Sequence, residues 1–436
     1  MTAAVRRRVF LSRTAGMAGT AALGLAGCGS GAASGGTVRL TVLAASYGRT
    51  VGSPIVDRWH EFIAAFEKEH RNIGIDLELA PIEKIDRTLA ERVAASREPD
   101  IAQSYTFADY AEAGRLYSAD DLFDLSAQAD FLTPFARAGE LGFTEYGIPF
   151  LTSTPRLFYH TGHFARAGLS GPPTSWAELR TAAQALKAAG VTTPYGLQFG
   201  PEAAEDEALA WMLATGGGYG GQAGYDFPKD ANVEALTWVK EQLVARGLAG
   251  DDPARFSRTP AYAAFLKGEV GMMLAHPVLI KAADRAGVPY ADAAFPMKDG
   301  GAAPPVGLSD WLMAFKRNGH RQECAAFLDF LYSERATTRF AQGQGTLPVT
   351  VSGSEALRAE RSARALWPFI DQMPRAEFHP VGRSTWPKVR DTLRQRIGAA
   401  VGPGGDPRAL LKRLQKAAEA AEAARPGAAQ PEDVAP

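Results

Sequence analysis

Few of the 436 residues stand in an arrangement suited to making or breaking a covalent bond. His160 and His163 have a spacing that shares one helix face, yet no third histidine or carboxylate stands nearby in a metal pattern, so they read as solvated or capping imidazoles. Neither a G-x-S-x-G elbow nor a Walker phosphate loop occurs. The glycine run at 215–221 lacks the preceding strand and following helix of a dinucleotide fingerprint. Paired carboxylates for glycoside hydrolysis are set by folding and are not legible here. What remains is a set of aromatic and planar polar side chains at loop positions. Aromatic faces stack on C–H surfaces and planar polar groups form paired hydrogen bonds, which is binding chemistry rather than turnover.

The elements that must hold those side chains follow from periodicity. Residues 37–43 read as a first strand and 55–69 as an amphipathic helix with Trp59, Phe62, Ile63 and Phe66 on one face. A strand at 75–81, a helix at 83–96 and a strand starting near Ile101 complete a strand, helix, strand, helix, strand order, the mark of a doubly wound parallel sheet. Ligands sit beyond the carboxyl ends of such strands, which singles out Tyr47, Gln103 and Tyr105. Further on, helices are expected at 176–189, 205–215 and 233–246, with a strand at 194–199. Ser175 or Thr174 caps the first of these, with Glu178 in its first turn.

Composition bounds the rest. A formal net charge of -1 gives no reason to expect nucleic acid as a partner. The first acidic residue is Asp57, and the arginines at 6, 7, 8 and 13 precede a short Ala/Gly-rich apolar run, the plan of a signal peptide over 1–27. Arg7-Arg8-Val9-Phe10-Leu11 resembles a twin-arginine export signal, with an Arg-rich Sec signal as the alternative. Leu25-Ala26-Gly27-Cys28 resembles a bacterial lipobox, which implies diacylation of Cys28 and stable anchoring to a membrane surface. Residues 28–36 then form a flexible tether of small residues. Cys324 is the one other cysteine, in an apolar context, so no disulfide framework is expected. Residues 425–436 read as a disordered tail.

The segment 146–176, YGIPFLTSTPRLFYHTGHFARAGLSGPPTSW, resembles the inter-lobe crossing of the family 1 extracellular solute-binding proteins, the sugar-binding subunits of bacterial ABC importers. Its stretch 150–159 reads as one extended crossing strand. Segments 100–114, 265–274, 307–315, 321–348 and 384–424 resemble the same family in order, so the likeness covers nearly all of 37–424. The resemblance implies a two-lobed periplasmic-binding-protein fold of the α/β class, type II-like, each lobe a mainly parallel sheet flanked by helices. It places lobe 1 at 37–148 plus 303–352 and lobe 2 at 149–302 plus 353–424. Crossings are then expected near 149–156, 298–308 and 349–356.

The resemblance also implies a carbohydrate ligand, an ABC permease as partner, a monomer, no cofactor and no catalysis. The exported chain would sit on the outer face of the cytoplasmic membrane. Its expected ligand contacts are Tyr47, Gln103, Tyr105, Ser153, Trp211, His276, Asp310, Trp311, Arg383 and Trp386. For Trp211, Trp311 and Trp386 a core position is the alternative. His276 stands in Ala-His-Pro-Val, where many members carry Gly-Pro-Trp, so a common stacking ring is missing. The runner-up ligand is a glycerol phosphate or glycerophosphodiester, for which Arg49, Arg156 and Arg383 would supply charge. A secreted glycan-active enzyme and a sensory adaptor are the rivals from other classes.

Overall fold

A computed structural model describes residues 37–47 and 54–425. The expected export signal, the lipobox with Cys28, the tether, Arg49 and all of the tail but Arg425 lie outside the described residues.

Nine strands build two sheets. They are β1 (Val38–Ser46), β2 (Ile73–Pro81), β3 (Ile101–Ser104), β4 (Ile148–Ser153), β5 (Arg156–His160), β6 (Thr193–Tyr195), β7 (Val270–Ala275), β8 (Tyr290–Ala293) and β9 (Leu308–Ala314). The first sheet has the order β2-β1-β3-β9-β4 and the second β8-β5-β7-β6. In the first, β1 pairs in parallel with β2 and β3, while β9 runs against β3 and β4. In the second, β6 and β7 are parallel and β5 runs against β7 and β8. Each sheet therefore carries one strand of opposite direction.

The apolar periodicity explains the layers. Leu40, Val42, Leu43, Ala44 and Ala45 of β1 are all fully buried, as a central strand covered on both faces must be. Helix Pro54–Glu69 lays Trp59, Phe62, Ile63 and Phe66 against the sheet, where Trp59 meets Phe150 and Phe340 at centroid distances of 5.6 and 5.1 Å. Burying each such side chain is worth about 1.5–3 kcal/mol. Around the second sheet, helix Trp176–Ala188 is capped by Ser175, which accepts from Glu178 N–H, while Thr174 donates to the Glu178 carboxylate.

The expected single strand over 150–159 is two strands, one in each sheet. The break falls at Thr154-Pro155, because proline has no N–H to offer a ladder. Gln372 holds the break, its amide donating to Thr154 Oγ1 at 2.8 Å and to the Pro155 carbonyl at 2.9 Å. A core containing Leu132, Phe135, Phe158, Phe265 and Phe369 packs beside this crossing. The expected strand at 194–199 ends at Tyr195; beyond it the Gln198 side chain, not its backbone, donates to the Leu274 carbonyl at 2.7 Å. The expected helix at 233–246 starts at Asp230 and becomes a π-helical turn over Val239–Val244.

Candidate ligand-binding cleft

Four ends of the first sheet open on one cavity. Tyr47 follows β1, Tyr105 follows β3, Ser153 ends β4, and Leu308 starts β9, whose reversed direction brings its first residues to the same edge. This is the edge at which α/β sheets hold ligands. The cavity measures about 230 Å³ and continues into a chamber of about 290 Å³ lined by His276, Val278, Gly345 and Thr346.

The first wall is set by Gln103, fully buried near the end of β3. Its Oε1 accepts from Ala45 N–H at 2.9 Å, which fixes the orientation of the amide. Nε2 then donates to the Tyr47 hydroxyl at 2.9 Å and to Asp310 Oδ2 at 2.8 Å. Asp310 itself sits where two residues of β4, Phe150 and Leu151, oppose one of β9, an irregularity of the kind that re-aims side chains beside functional sites. Burial pushes its carboxyl up to about 8, so it is neutral at pH 7. Tyr105 is held by Asp86, which accepts from Ser104 Oγ at 2.8 Å and from Tyr105 N–H at 2.9 Å.

The opposite wall comes from elements around the second sheet. Helix Ala204–Leu213 opens with Glu205, Asp206 and Glu207 at the end where its backbone N–H groups favour negative charge; Glu205 and Glu207 are buried and Asp206 is partly so. Glu205 pairs with Arg394, and Arg258 lies 3.8 Å from Glu202 and 3.9 Å from Asp206. His379 Nε2 is 3.1 Å from Asp206 Oδ1. Burial, the largest influence on Asp206, would raise its pKa, but His379 and then Arg258 outweigh it and hold it at about 2. Ser153 Oγ meets His276 Nδ1 at 2.9 Å, and burial with Arg258 nearby pushes His276 down to about 4, leaving it neutral.

Of the expected contacts, Tyr47, Tyr105, Ser153, Asp310, Trp311 and Trp386 line the cavity, Gln103 backs it, and His276 lines its continuation. Trp311 and Trp386 border it from buried positions: Trp311 packs on Phe107 at 5.3 Å and Trp386 stacks on His379 at 5.4 Å. Two expectations need correcting. Trp211 is fully buried in the second core against Trp176, Trp238 and Phe295, and its Nε1–H donates to Glu207 at 2.9 Å. Three aromatic neighbours enclose the ring and Glu207 takes its one N–H, so the ring is core. Arg383 faces away from this cavity; it pairs with Glu422 at 2.8 Å and lies over Tyr225 at 5.0 Å. Arg156 is likewise spent, on Asp292 and the Pro368 carbonyl.

Arg258, Arg390, Arg394, Glu205, Asp206, Phe378 and His379 line the cavity without having been foreseen. One signal was available. Trp386, Arg390 and Arg394 are spaced i, i+4, i+8 on helix Trp386–Arg396, so a cleft-facing Trp386 brings both arginines with it. A larger cavity, about 450 Å³, lies elsewhere, lined by Arg137, Glu140, Gln222 and residues 374–383. It shares Phe378, His379 and Val381 with the cleft, but its charged rim is largely exposed, and the fixed Gln103 network opens on the smaller one. Among the described residues no group of histidine, cysteine and carboxylate side chains is placed to hold a metal ion.

The sequence profile of the bacterial extracellular solute-binding proteins matches residues 52–338. The chain belongs to that family. A Brucella abortus (strain 2308) protein named "Putative binding protein" is 27% identical over 416 residues, covering 93% of this chain and 97% of its own. The sn-glycerol-3-phosphate-binding periplasmic protein UgpB of Brucella melitensis is 26% identical over 298 residues, 64% of this chain and 68% of its own. In fold, the chain resembles the cyclic alpha-maltosyl-1,6-maltose binding protein of Arthrobacter globiformis, with a TM-score of 0.76 at 20% identity over 88% of this chain and 99% of that one. The two-lobed α/β architecture expected for family 1 solute-binding proteins is thus the observed one. No described helix is long and apolar enough to cross a membrane.

Proposed function

We propose that this chain is the membrane-anchored capture subunit of an ABC importer and that its cleft takes a carbohydrate, from a monosaccharide to an oligosaccharide. The observation that carries the reading is the meeting, in one cavity, of the ring of Tyr105 with oriented polar groups, Tyr47 and Asp310 held by Gln103 on one wall and Arg258 and Arg394 on the other. A hydroxylated ring needs both kinds of contact. A ligand bridging the two walls gains most in the closed form, so its differential affinity shifts the population toward closure, which the permease reads. No bond is made or broken. The Arg7-Arg8 motif and Leu25-Ala26-Gly27-Cys28 support export and anchoring by acyl chains on Cys28, at the outer face of the cytoplasmic membrane. A monomer fits this role.

A second reading, a glycerol phosphate or glycerophosphodiester, is favoured by the three arginines of the cleft and by the name of the Brucella melitensis relative. Thermal unfolding of the purified chain with mono-, di- and oligosaccharides, polyols and glycerol phosphates separates the two. A ligand at about a hundred times its dissociation constant adds roughly 2.7 kcal/mol, a shift of a few degrees. Stabilisation by a sugar that is recovered unchanged supports the carbohydrate reading. Release of a cleaved product would make the chain an enzyme, and silence across the panel would sink the carbohydrate reading.

A further inference from the structure

The two walls of the cleft differ in charge. The first presents Tyr47, Ser153 and Asp310, whose carboxyl burial keeps protonated at neutral pH, and the second sets Arg258, Arg390 and Arg394 beside Glu202, Glu205 and Asp206. We propose that Arg390, with Arg394 one turn further along its helix, forms an anion subsite in this cleft, and that the captured solute is a hydroxylated molecule bearing a carboxylate or phosphate group. The proposal rests on the reading of this cavity as the solute-capture cleft and adds the charge of the ligand to it.

The pairing of charges singles out Arg390. Glu205 takes Arg394, while Glu202 and Asp206 share Arg258, and Asp206 also meets His379. Among the described residues the one carboxylate within ion-pair distance of Arg390 is its own neighbour Asp391, at 3.7 Å. That side chain is 62% exposed, so water screens the pair, whereas Arg390 is 17% exposed and turned inward. The Nε–H groups of Arg390 and Arg394 are both buried with no hydrogen-bond acceptor. A guanidinium is a planar fork that suits the paired oxygens of a carboxylate or phosphate, and a buried donor left unmet is costly. Tyr105, Arg258, Arg390 and Arg394 all line this one cavity. Glu205 Oε2, buried without a partner, leaves an acceptor for a hydroxyl of the same ligand.

Calorimetric titration of the full chain with two matched pairs, galacturonate against galactose and glycerol 3-phosphate against glycerol, tests this. In at least one pair the anion should bind ten- to a hundredfold more tightly, the scale of a charge-assisted hydrogen bond, and that preference should shrink as salt is added. Which pair responds separates carboxylate from phosphate. Arg390→Gln should erase the preference by lowering the anion's affinity far more than its neutral partner's, and Arg390→Lys should keep part of it. Equal binding within both pairs, or an Arg390→Gln loss equal for anion and neutral partner, would overturn the subsite and leave the carbohydrate reading standing. Absence of binding by all four probes would overturn both.

Discussion

Gln103 Nε2 donates to Asp310 Oδ2 at 2.8 Å, joining β3 to β9 directly beneath the cleft. Because Ala45 N–H already occupies Oε1, both hydrogens of the amide are committed, one to Asp310 and one to Tyr47. A single buried side chain thus orients two groups of the first wall. Gln103→Leu is expected to strand the Ala45 N–H and Asp310 without that partner, costing about 1–3 kcal/mol of stability. It should also weaken ligand binding by roughly tenfold through the lost orientation of Tyr47 and Asp310, a change of about 1.4 kcal/mol. Urea unfolding and calorimetry read the two effects separately. An unchanged urea midpoint would mean that the network is not holding the wall.

The raised carboxyl of Asp310 has a signed consequence for pH. Its folded pKa of about 8 lies above the ordinary value of 3.8, so between those limits the unfolded chain releases a proton that the folded chain keeps. Stability from this group is therefore full below about pH 4 and falls as pH rises toward 8. Glu207, pushed up to about 7 mainly by burial, acts in the same direction. His276 and Asp206 oppose it at lower pH. His276 is depressed to about 4, so its neutral buried form is favoured as pH rises from 4 through 6.5, and Asp206 adds stability above its ordinary range that is lost toward pH 2. Asp310→Asn keeps the shape without the proton. It should flatten the decline in melting temperature between pH 6.5 and 8, and an identical slope in variant and parent would contradict the assignment.

Trp211 separates core from cleft. Its ring packs against Trp176 at 5.1 Å and Phe295 at 4.9 Å, and its N–H meets Glu207. Trp211→Phe should lower stability by about 1–3 kcal/mol, since Glu207 loses a donor inside the protein. Ligand affinity of the folded fraction should stay within twofold. A large affinity loss with an unchanged melting temperature would return Trp211 to the binding site.

Much of the fold was legible because it is written in local patterns. The helix at 54–69 shows its apolar stripe, the strand at 38–46 is a largely apolar run, and the strand at 73–81 alternates, whereas the strand at 270–275 entered only through the family resemblance. The site was legible only in part. Tyr47 and Tyr105, expected from the rule that strand ends hold ligands, do line the cavity, because that rule concerns one sheet. Arg258, Arg390 and Arg394 come from two helices more than a hundred residues apart in sequence, and only tertiary packing brings them together. Arg383 and Arg390, seven residues apart, look alike in sequence; Glu422, from the last helix, removes the first from consideration.

Gly307 tests whether the cleft is shaped from behind. It immediately precedes β9, and a Cβ built there would lie 2.4 Å from Cζ of Phe378, closer than any real contact. Phe378 lines both the cleft and the larger cavity beside it, and its ring rests on Phe135 at 4.9 Å and on Trp311 at 6.4 Å. An alanine at 307 must therefore push the ring off Phe135 or into the space the ligand would fill. Gly307→Ala should cost about 1–3 kcal/mol of stability, the scale of overpacking, and lower ligand affinity as well. Shortening the neighbour supplies the control. In Phe378→Leu the clash is relieved, so adding Gly307→Ala to it should cost much less than adding it to the parent, a coupling of about 0.5–3 kcal/mol in a double-mutant cycle. Additive costs in that cycle would mean that the two residues do not meet, and that the back wall of the cleft is set by something other than Phe378.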